Sequence, residues 1–400
     1  MNILSVVIPV LNEEDSVAEI MDRVLSIEEP LKKVKVEELE LIIVDDGSTD
    51  STADIVAGYK DKGVVLIKHP VNQGYGAAIK TGFRNAKGNL LAFLDADGTY
   101  PPESYPELCE PIIERGADLV IGSRMTGNET GMPLVRRIGN TIFATLVSIV
   151  SNNRVSDSAS GQRVLRRDAL EHLYPLPDGL NFTPVMSTRA MYEDINVVEV
   201  PIVYSERAGR SKLSVVRDGF RFLNTIMMTA LTYNPARIFG LVGLLLVDLG
   251  FVTSLGLWLT REKTNRDARY AAGFAGIAAT SAGINIFATG TAFNYVVSLF
   301  HGRQIRQGAF GTPIFNKPVE RAFGWLGIAT VAGGKLLYLI SAINGWLNPK
   351  NKRVPSWFMP SVSTLMVLTG LNLILTWLLD TVLGELSERQ EKAEIDLGRN

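Results

Sequence analysis

The sequence predicts two unlike parts in series: an α/β domain built on a parallel sheet, then an α-helical transmembrane domain of about four helices. Three observations carry this. Through roughly the first two hundred residues, short apolar runs alternate with helix-compatible ones, the βαβα order of a parallel sheet with helices on both faces. The acidic or glycine-rich turns of this half follow the apolar runs directly, at the strand ends where open α/β sheets bind ligands. Beyond residue 235, four nearly uncharged stretches each reach the roughly 20 residues a helix needs to cross a bilayer.

Each element has its own signal. Ile3–Val10, ILSVVIPV, is a continuous apolar run, as a central parallel strand requires. Pro9 and Asn12 end it, and Asn12 is expected to cap a helix reaching Leu25. Residues 39–44 form the second strand and run into the acidic turn Asp45-Asp46-Gly47-Ser48-Thr49-Asp50. A helix over 51–62, a strand over 64–68, the turn Asn72-Gln73-Gly74-Tyr75-Gly76 and a helix over 77–85 follow. The strand at 91–94 is central and ends in Asp95-Ala96-Asp97; a helix at 103–115 and strands at 118–122 and 197–204 complete the domain.

The chemistry concentrates at these turns. In extended chain, residues two apart point the same way, so Asp95 and Asp97 would face one point beyond the strand. Hard oxygens on a short loop suit Mg²⁺ or Mn²⁺, completed by substrate phosphates; a polar helix-capping turn is the plainer alternative. Asp46 ends a neighbouring strand at the same sheet edge and is expected to touch ligand, whereas Asp50 is expected to cap its helix. Gly74 and Gly76 fit either a phosphate approach or tight strand–helix packing. Arg207, Arg210 and Lys212 surround Gly209 as a phosphate clamp or a solvated basic loop near an anionic membrane. Asp157 is expected to orient its turn rather than to catalyse. His69, His172 and His301 are scattered without ligand spacing. Cys109 is the one cysteine, which excludes a disulfide framework, and a net charge of −2 gives no sign of nucleic acid.

Arg136 and Arg137 precede the apolar stretch 138–150, which suits a core helix or one lying on a membrane surface. Residues 214–233 read as an interfacial helix, with Leu213, Val216, Phe220, Leu223 and Met227 in one stripe and Arg210, Arg217 and Arg221 beside it. The spans are expected over 238–260, 270–300, 322–347 and 357–379. Asp248 and Lys335 lie inside the first and third and are expected to form a structural ion pair. Met1 leads almost directly into a strand, with no signal peptide, so the first domain is expected in the cytosol. Four crossings then return the tail, 385–400, to that side.

Taken together, VVIPVLNEE, VDDGSTD, NQGYGAAIKTG, LDADGTYPPE and GSR, followed by SGQRVLRRDAL and ERAGRSKL, resemble glycosyltransferase family 2, in particular its polyprenyl-phosphate branch, over roughly residues 1–215. Leu11 and Thr99 depart from the pattern of many relatives, and the Gln-x-x-Arg-Trp motif of processive synthases is absent. The resemblance implies a GT-A (Rossmann-like) fold and a metal-dependent, inverting transfer. A sugar would pass from a GDP- or UDP-hexose to a polyprenyl phosphate, dolichyl or undecaprenyl, at the cytosolic membrane face. It implies that Pro9, Glu13 and Asp46 hold the nucleoside, and that Asp95, Ala96 and Asp97 carry metal and diphosphate. Arg124, Arg207 and Lys212 would contact phosphates, and Arg136, Arg137, Ser160 and Arg163 would line the acceptor side. The expected domains are 1–209 catalytic, 210–234 juxtamembrane, 235–384 transmembrane and 385–400 tail. A homo-oligomer stays open. The rival readings are a transferase acting on a hydroxyl-bearing glycolipid and a non-catalytic membrane scaffold.

Overall fold

The structure, a computed structural model, describes residues 1–126, 132, 134–151, 155–193, 195–205, 215–260, 265–301, 319–347 and 354–396. The chain divides into two compact units, Met1–Thr229 and Ala230–Asn400.

The first unit is built on seven strands: β1 (Ile3–Val10), β2 (Glu38–Asp45), β3 (Val65–Lys68), β4 (Leu90–Phe93), β5 (Leu119–Ser123), β6 (Arg163–Arg166) and β7 (Val197–Pro201). Their order is β3-β2-β1-β4-β6-β5-β7. The strands of β3-β2-β1-β4 pair in parallel, as the alternation predicts. The sheet is nevertheless mixed. β6, for which the sequence shows no strand signal, enters antiparallel between β4 and β5, with Arg163 opposite Phe93 on one side and Ile121 on the other. Helices α1 (Val17–Ser26), α2 (Glu28–Lys33), α3 (Thr52–Ala57), α4 (Tyr75–Asn85) and α5 (Tyr105–Arg115) connect the first five strands. Further on come α6 (Leu134–Ser151), α7 (Arg167–Leu173), α8 (Phe182–Tyr192) and α9 (Val215–Tyr233). One core cluster joins Leu4, Val6 and Ile8 of β1 to Ile20 and Met21 of α1 and Leu108 and Cys109 of α5.

Asn12 does not cap the first helix, which starts only at Val17. Asn12 takes a left-handed conformation, φ 52°, which Asn tolerates, and its side chain accepts a hydrogen bond from the Thr49 amide at 2.8 Å. It thereby ties the β1 exit to the β2 exit. Helix α6 buries Asn140, Ala144 and Val147 and exposes Leu134, Val135, Ile138, Ile142 and Ile149. That outward apolar face favours the membrane-surface reading over the core reading. On α9 the buried stripe is Ile226 and Ala230, while Phe220 and Met228 point outward.

In the second unit Asn234 caps α10 (Pro235–Leu259), accepting from the Arg237 amide, with Pro235 at the first helical position. Helices α11 (Arg266–His301), α12 (Phe323–Leu347) and α13 (Phe358–Asp396) follow. Segments of all four are long and apolar enough to cross a membrane. Their outward Leu245, Trp258, Trp325 and Trp346, all more than half exposed, would be untenable in water; the chain is a membrane protein. Close approach uses glycine: a Cβ on Gly243 would stand 2.7 Å from the Gly283 carbonyl oxygen, and one on Gly327 2.6 Å from that of Gly370. The ion pair expected between Asp248 and Lys335 is not formed. Both side chains are exposed on the lipid-facing surface, each without an ion pair among the described residues.

Candidate active site

The parallel strands deliver three turns to one edge of the sheet. The β4 exit is the most constrained. Extended geometry does not persist to Asp97: β4 ends at Phe93, and Ala96–Asp97 is a turn. The two carboxylates are therefore presented by a turn and not by the strand's pleat. Asp95 Oδ1 accepts a hydrogen bond at 2.7 Å from the hydroxyl of Tyr75, the first residue of α4. Desolvation and the Asp95 charge push that phenol well above its ordinary range, so it remains a donor. Asp97 Oδ1 accepts from the Thr99 amide at 3.1 Å and its hydroxyl at 2.6 Å, and Gly98 supplies the left-handed residue, φ 73°. On the far side of Asp95 lies Gly161, where a Cβ would stand 2.6 Å from Oδ2. The Gly161 amide donates to the Tyr100 hydroxyl at 2.7 Å. Among the described residues no three His, Cys, Asp or Glu side chains gather as a metal cluster. Two hard carboxylates on a turn still fit Mg²⁺ or Mn²⁺, which commonly takes one or two protein carboxylates and fills its remaining places with substrate oxygens and water.

At the β1 and β2 exits, Pro9 stands opposite Val44 and Val10 opposite Asp45. The Glu13 amide donates to Thr52 Oγ1 at 2.9 Å. Asp50 stands one residue before Ser51, the N-cap of α3, and holds the entry turn instead of capping the helix, accepting from the Thr52 amide at 3.0 Å and its hydroxyl at 2.5 Å. Asp46 is buried and engaged within the protein. It pairs with His69 Nδ1 at 2.7 Å and accepts from the Gln73 and Gly74 amides at 2.9 and 2.8 Å. Direct ligand contact by its carboxylate is revised to an indirect part: it fixes the turn that carries Tyr75. His69, assigned no role from its sequence neighbours, is the partner that makes this possible. The glycines serve close packing, but against the loop at 177–179 and not between strand and helix. A Cβ at Gly74 would stand 2.5 Å from the Asp178 carbonyl oxygen, and one at Gly76 2.1 Å from that of Pro177.

On the acceptor and phosphate side three expectations change. Arg124 spends its fork on Asp157, at 2.7 Å from Nε to Oδ2 and 2.7 Å from Nη2 to Oδ1, and lies over the rings of Tyr100 and Tyr204. It is therefore not an open phosphate clamp. Asp157 is fully buried, and the Glu199 carboxylate accepts from its amide and from that of Ser156. Burial alone would raise the Asp157 carboxyl, but the Arg124 charge and hydrogen bonds hold it below its ordinary range. The expected orienting role of Asp157 is what the geometry displays. Ser160 donates to the Gly122 carbonyl oxygen at 2.6 Å and is completely buried. Arg163, also completely buried, donates to the Ser160 and Ser158 carbonyls, because its strand has neighbours on both edges. Burial pulls its guanidinium down to about 10. Neither residue is open to an acceptor; both brace the segment that ends at Gly161. Arg137 is exposed on α6, which also carries Arg136. Arg207, Arg210 and Lys212 lie outside the described residues.

The residues missed from sequence are Tyr75, Tyr100, Gly161, His69 and Glu199. Tyr75, Tyr100 and Gly161 had a signal, by standing inside the quoted motifs; His69 and Glu199 had none.

Residues 5–174 match the model of glycosyl transferase family 2, and residues 235–394 match a domain of unknown function (DUF8752). The chain is 31% identical over 301 residues to the low-salt glycan biosynthesis hexosyltransferase Agl6 of Haloferax volcanii, covering 74% of this chain and 69% of that protein. It is 30% identical over 264 residues to the undecaprenyl-phosphate 4-deoxy-4-formamido-L-arabinose transferase of Photorhabdus laumondii, covering 64% of this chain and 77% of that one. Among solved structures it is similar to glucosyl-3-phosphoglycerate synthase from Mycobacterium tuberculosis in complex with Mn²⁺, UDP and phosphoglyceric acid. That match has a TM-score of 0.47 and 21% identity over 57% of this chain and 78% of that one. The parallel half-sheet, the antiparallel β6 insertion and the acidic β4 exit are those of a GT-A fold, and the chain belongs to glycosyltransferase family 2.

Proposed function

We propose that this glycosyltransferase moves a hexose, with inversion, from a UDP- or GDP-sugar to a polyprenyl phosphate at the cytosolic face of a membrane. The observation that carries the reading is the Asp95–Asp97 turn, held at the sheet edge by Tyr75 and packed against Gly161, in a chain whose described residues include four helices long and apolar enough to cross a membrane. The name of the Photorhabdus relative, an undecaprenyl-phosphate transferase, supports the acceptor class.

Pro9 and Glu13, at the β1 exit, hold the nucleoside, and Asp46 keeps the adjoining turn in place. Asp95 and Asp97 would hold Mg²⁺ or Mn²⁺. When bound, that metal offsets the charge of the leaving group. Arg207 and Lys212, outside the described residues, contribute cations for the two phosphates. A phosphate monoester has its second pKa at roughly 6 and is largely dianionic at neutral pH, so it attacks the anomeric carbon without a general base. The state of Asp157 supports this nucleophile over a hydroxyl: buried and doubly bonded to Arg124, it is not placed to take a proton.

The test is mass spectrometry of lipids formed by the full chain in nanodiscs, from a panel of nucleotide sugars with undecaprenyl phosphate, dolichyl phosphate and a diacylglycerol. A glycosyl phosphoprenol is expected. Asp97→Ala or EDTA should lower turnover by at least about 100-fold, the loss typical of one strong electrostatic contact in a transition state. Product on the diacylglycerol alone, or full rate in EDTA, contradicts the proposal.

A further inference from the structure

Asp248 and Lys335 stand near the middles of two membrane helices, and among the described residues neither has an ion-pair partner in its own chain. Helix α10 packs on α11, α11 on α13 and α13 on α12, so the two charges ride on the first and last helices of that series. Helices α10 and α12 are each 25 residues long, Pro235–Leu259 and Phe323–Leu347. Lys335 is the middle residue of its helix and Asp248 is one residue past the middle of its own. At 1.5 Å rise per residue, both lie roughly 16–18 Å from the nearer helix end, beyond the reach of a snorkelling side chain. Exposed Leu244, Leu245, Leu249 and Val252 surround Asp248, and exposed Leu336, Leu339 and Ile340 surround Lys335. An isolated charge in such surroundings is costly and normally finds a partner.

Lys335 lines an open, mostly apolar cavity of about 440 Å³ between α12 and α13, with Tyr338, Leu339, Ser363, Thr364, Val367 and Leu368. A lipid headgroup does not answer this site, because headgroups stand about 15 Å from the midplane of a hydrocarbon core roughly 30 Å thick. A second copy does. All copies share one orientation, and each charge stands near the middle of a 25-residue helix, which gives the Asp248 of one copy and the Lys335 of another comparable positions along their spans.

We propose that the membrane unit self-associates head to tail, the α10 face of one copy seating Asp248 in the Lys335 cavity of its neighbour. The surfaces differ, so the contact is heterologous and builds a ring when its rotation closes. It stands independently of the transfer reaction.

Subunit counting by single-molecule photobleaching of the full chain, in phosphatidylcholine vesicles at low density, tests it. The wild type is expected as oligomers. D248N and K335M, which make their spans easier to insert, should each weaken association at least tenfold. D248K and K335D should each be monomeric alone, and a mixture of these two chains should associate again, since each then supplies the charge the other lacks. An internal ion pair cannot produce that recovery. Monomeric wild type, neutral variants that associate as well as wild type, or a mixture that stays monomeric would each overturn the proposal.

Discussion

At the scale of single residues, the Arg124–Asp157 pair changes what the site is thought to do. A bidentate arginine–carboxylate pair with no exposure on the acid is a positioning device, not a base beside a clamp. Removing one member leaves the other charge buried and unpaired, which costs about 3–5 kcal/mol, while replacing both by apolar residues is often nearly neutral. Asp157→Asn should therefore lower the thermal midpoint of the full chain in detergent, and Arg124→Leu combined with Asp157→Leu should recover much of that loss. The pH dependence has a definite sign. The folded carboxyl lies below its unfolded value, so its contribution is complete above roughly pH 4 and is lost as the pH falls through the folded value. Acid unfolding of wild type should show this loss, and Asp157→Asn should lack that component. A variant as stable as wild type yet inactive, with donor binding intact, would instead reinstate Asp157 as a base and a hydroxyl as acceptor.

At the scale of elements, one strand and one turn decide the site. β6 runs antiparallel between two parallel strands, and its entry places Gly161 against Asp95. Any side chain there must displace the carboxylate, the amide bond to Tyr100, or both. Gly161→Ala should weaken nucleotide binding in the presence of Mn²⁺ by about tenfold or more in calorimetric titration. The thermal midpoint should fall only modestly, since overpacking by one methyl typically costs about 1–3 kcal/mol. Unchanged affinity would mean that Asp95 tolerates displacement and does not contact the donor's metal. The β3–α4 turn is held in the same manner, by Asp46 acting on two amides and a histidine. Its glycines serve that packing and bring Tyr75 to Asp95.

At the scale of the whole molecule, four spans fix the sidedness of every loop once one is known. With the catalytic unit in the cytosol, Thr260 and Ser356 should lie outside and Arg321 inside. Single cysteines at these exposed positions, probed with an impermeant maleimide in intact cells, should label at 260 and 356 and not at 321. Native Cys109 should not interfere, because it is buried and its thiol is pushed up to about 12. Labelling at 321 alone would invert the topology, and labelling at all three would mean a miscounted span.

The sequence by itself determined what is local and periodic. Apolar runs specified the parallel strands, and long uncharged stretches specified the spans. The Asp95-Ala96-Asp97 turn was legible for the same reason, standing at the end of a run that had to be a buried strand. Tertiary structure decided what depends on partners distant in the chain. Asp157 reaches back to Arg124 and out to Glu199, and Asp46 to His69; no spacing encodes such pairs. The β6 strand was hidden because its four residues, Arg163–Arg166, begin and end with arginine, and only its two flanking strands bury the first of them. The expected pairing of Asp248 with Lys335 failed for the same physical reason: opposite charge gives an attraction, but helix packing decides whether the two surfaces ever meet within one chain.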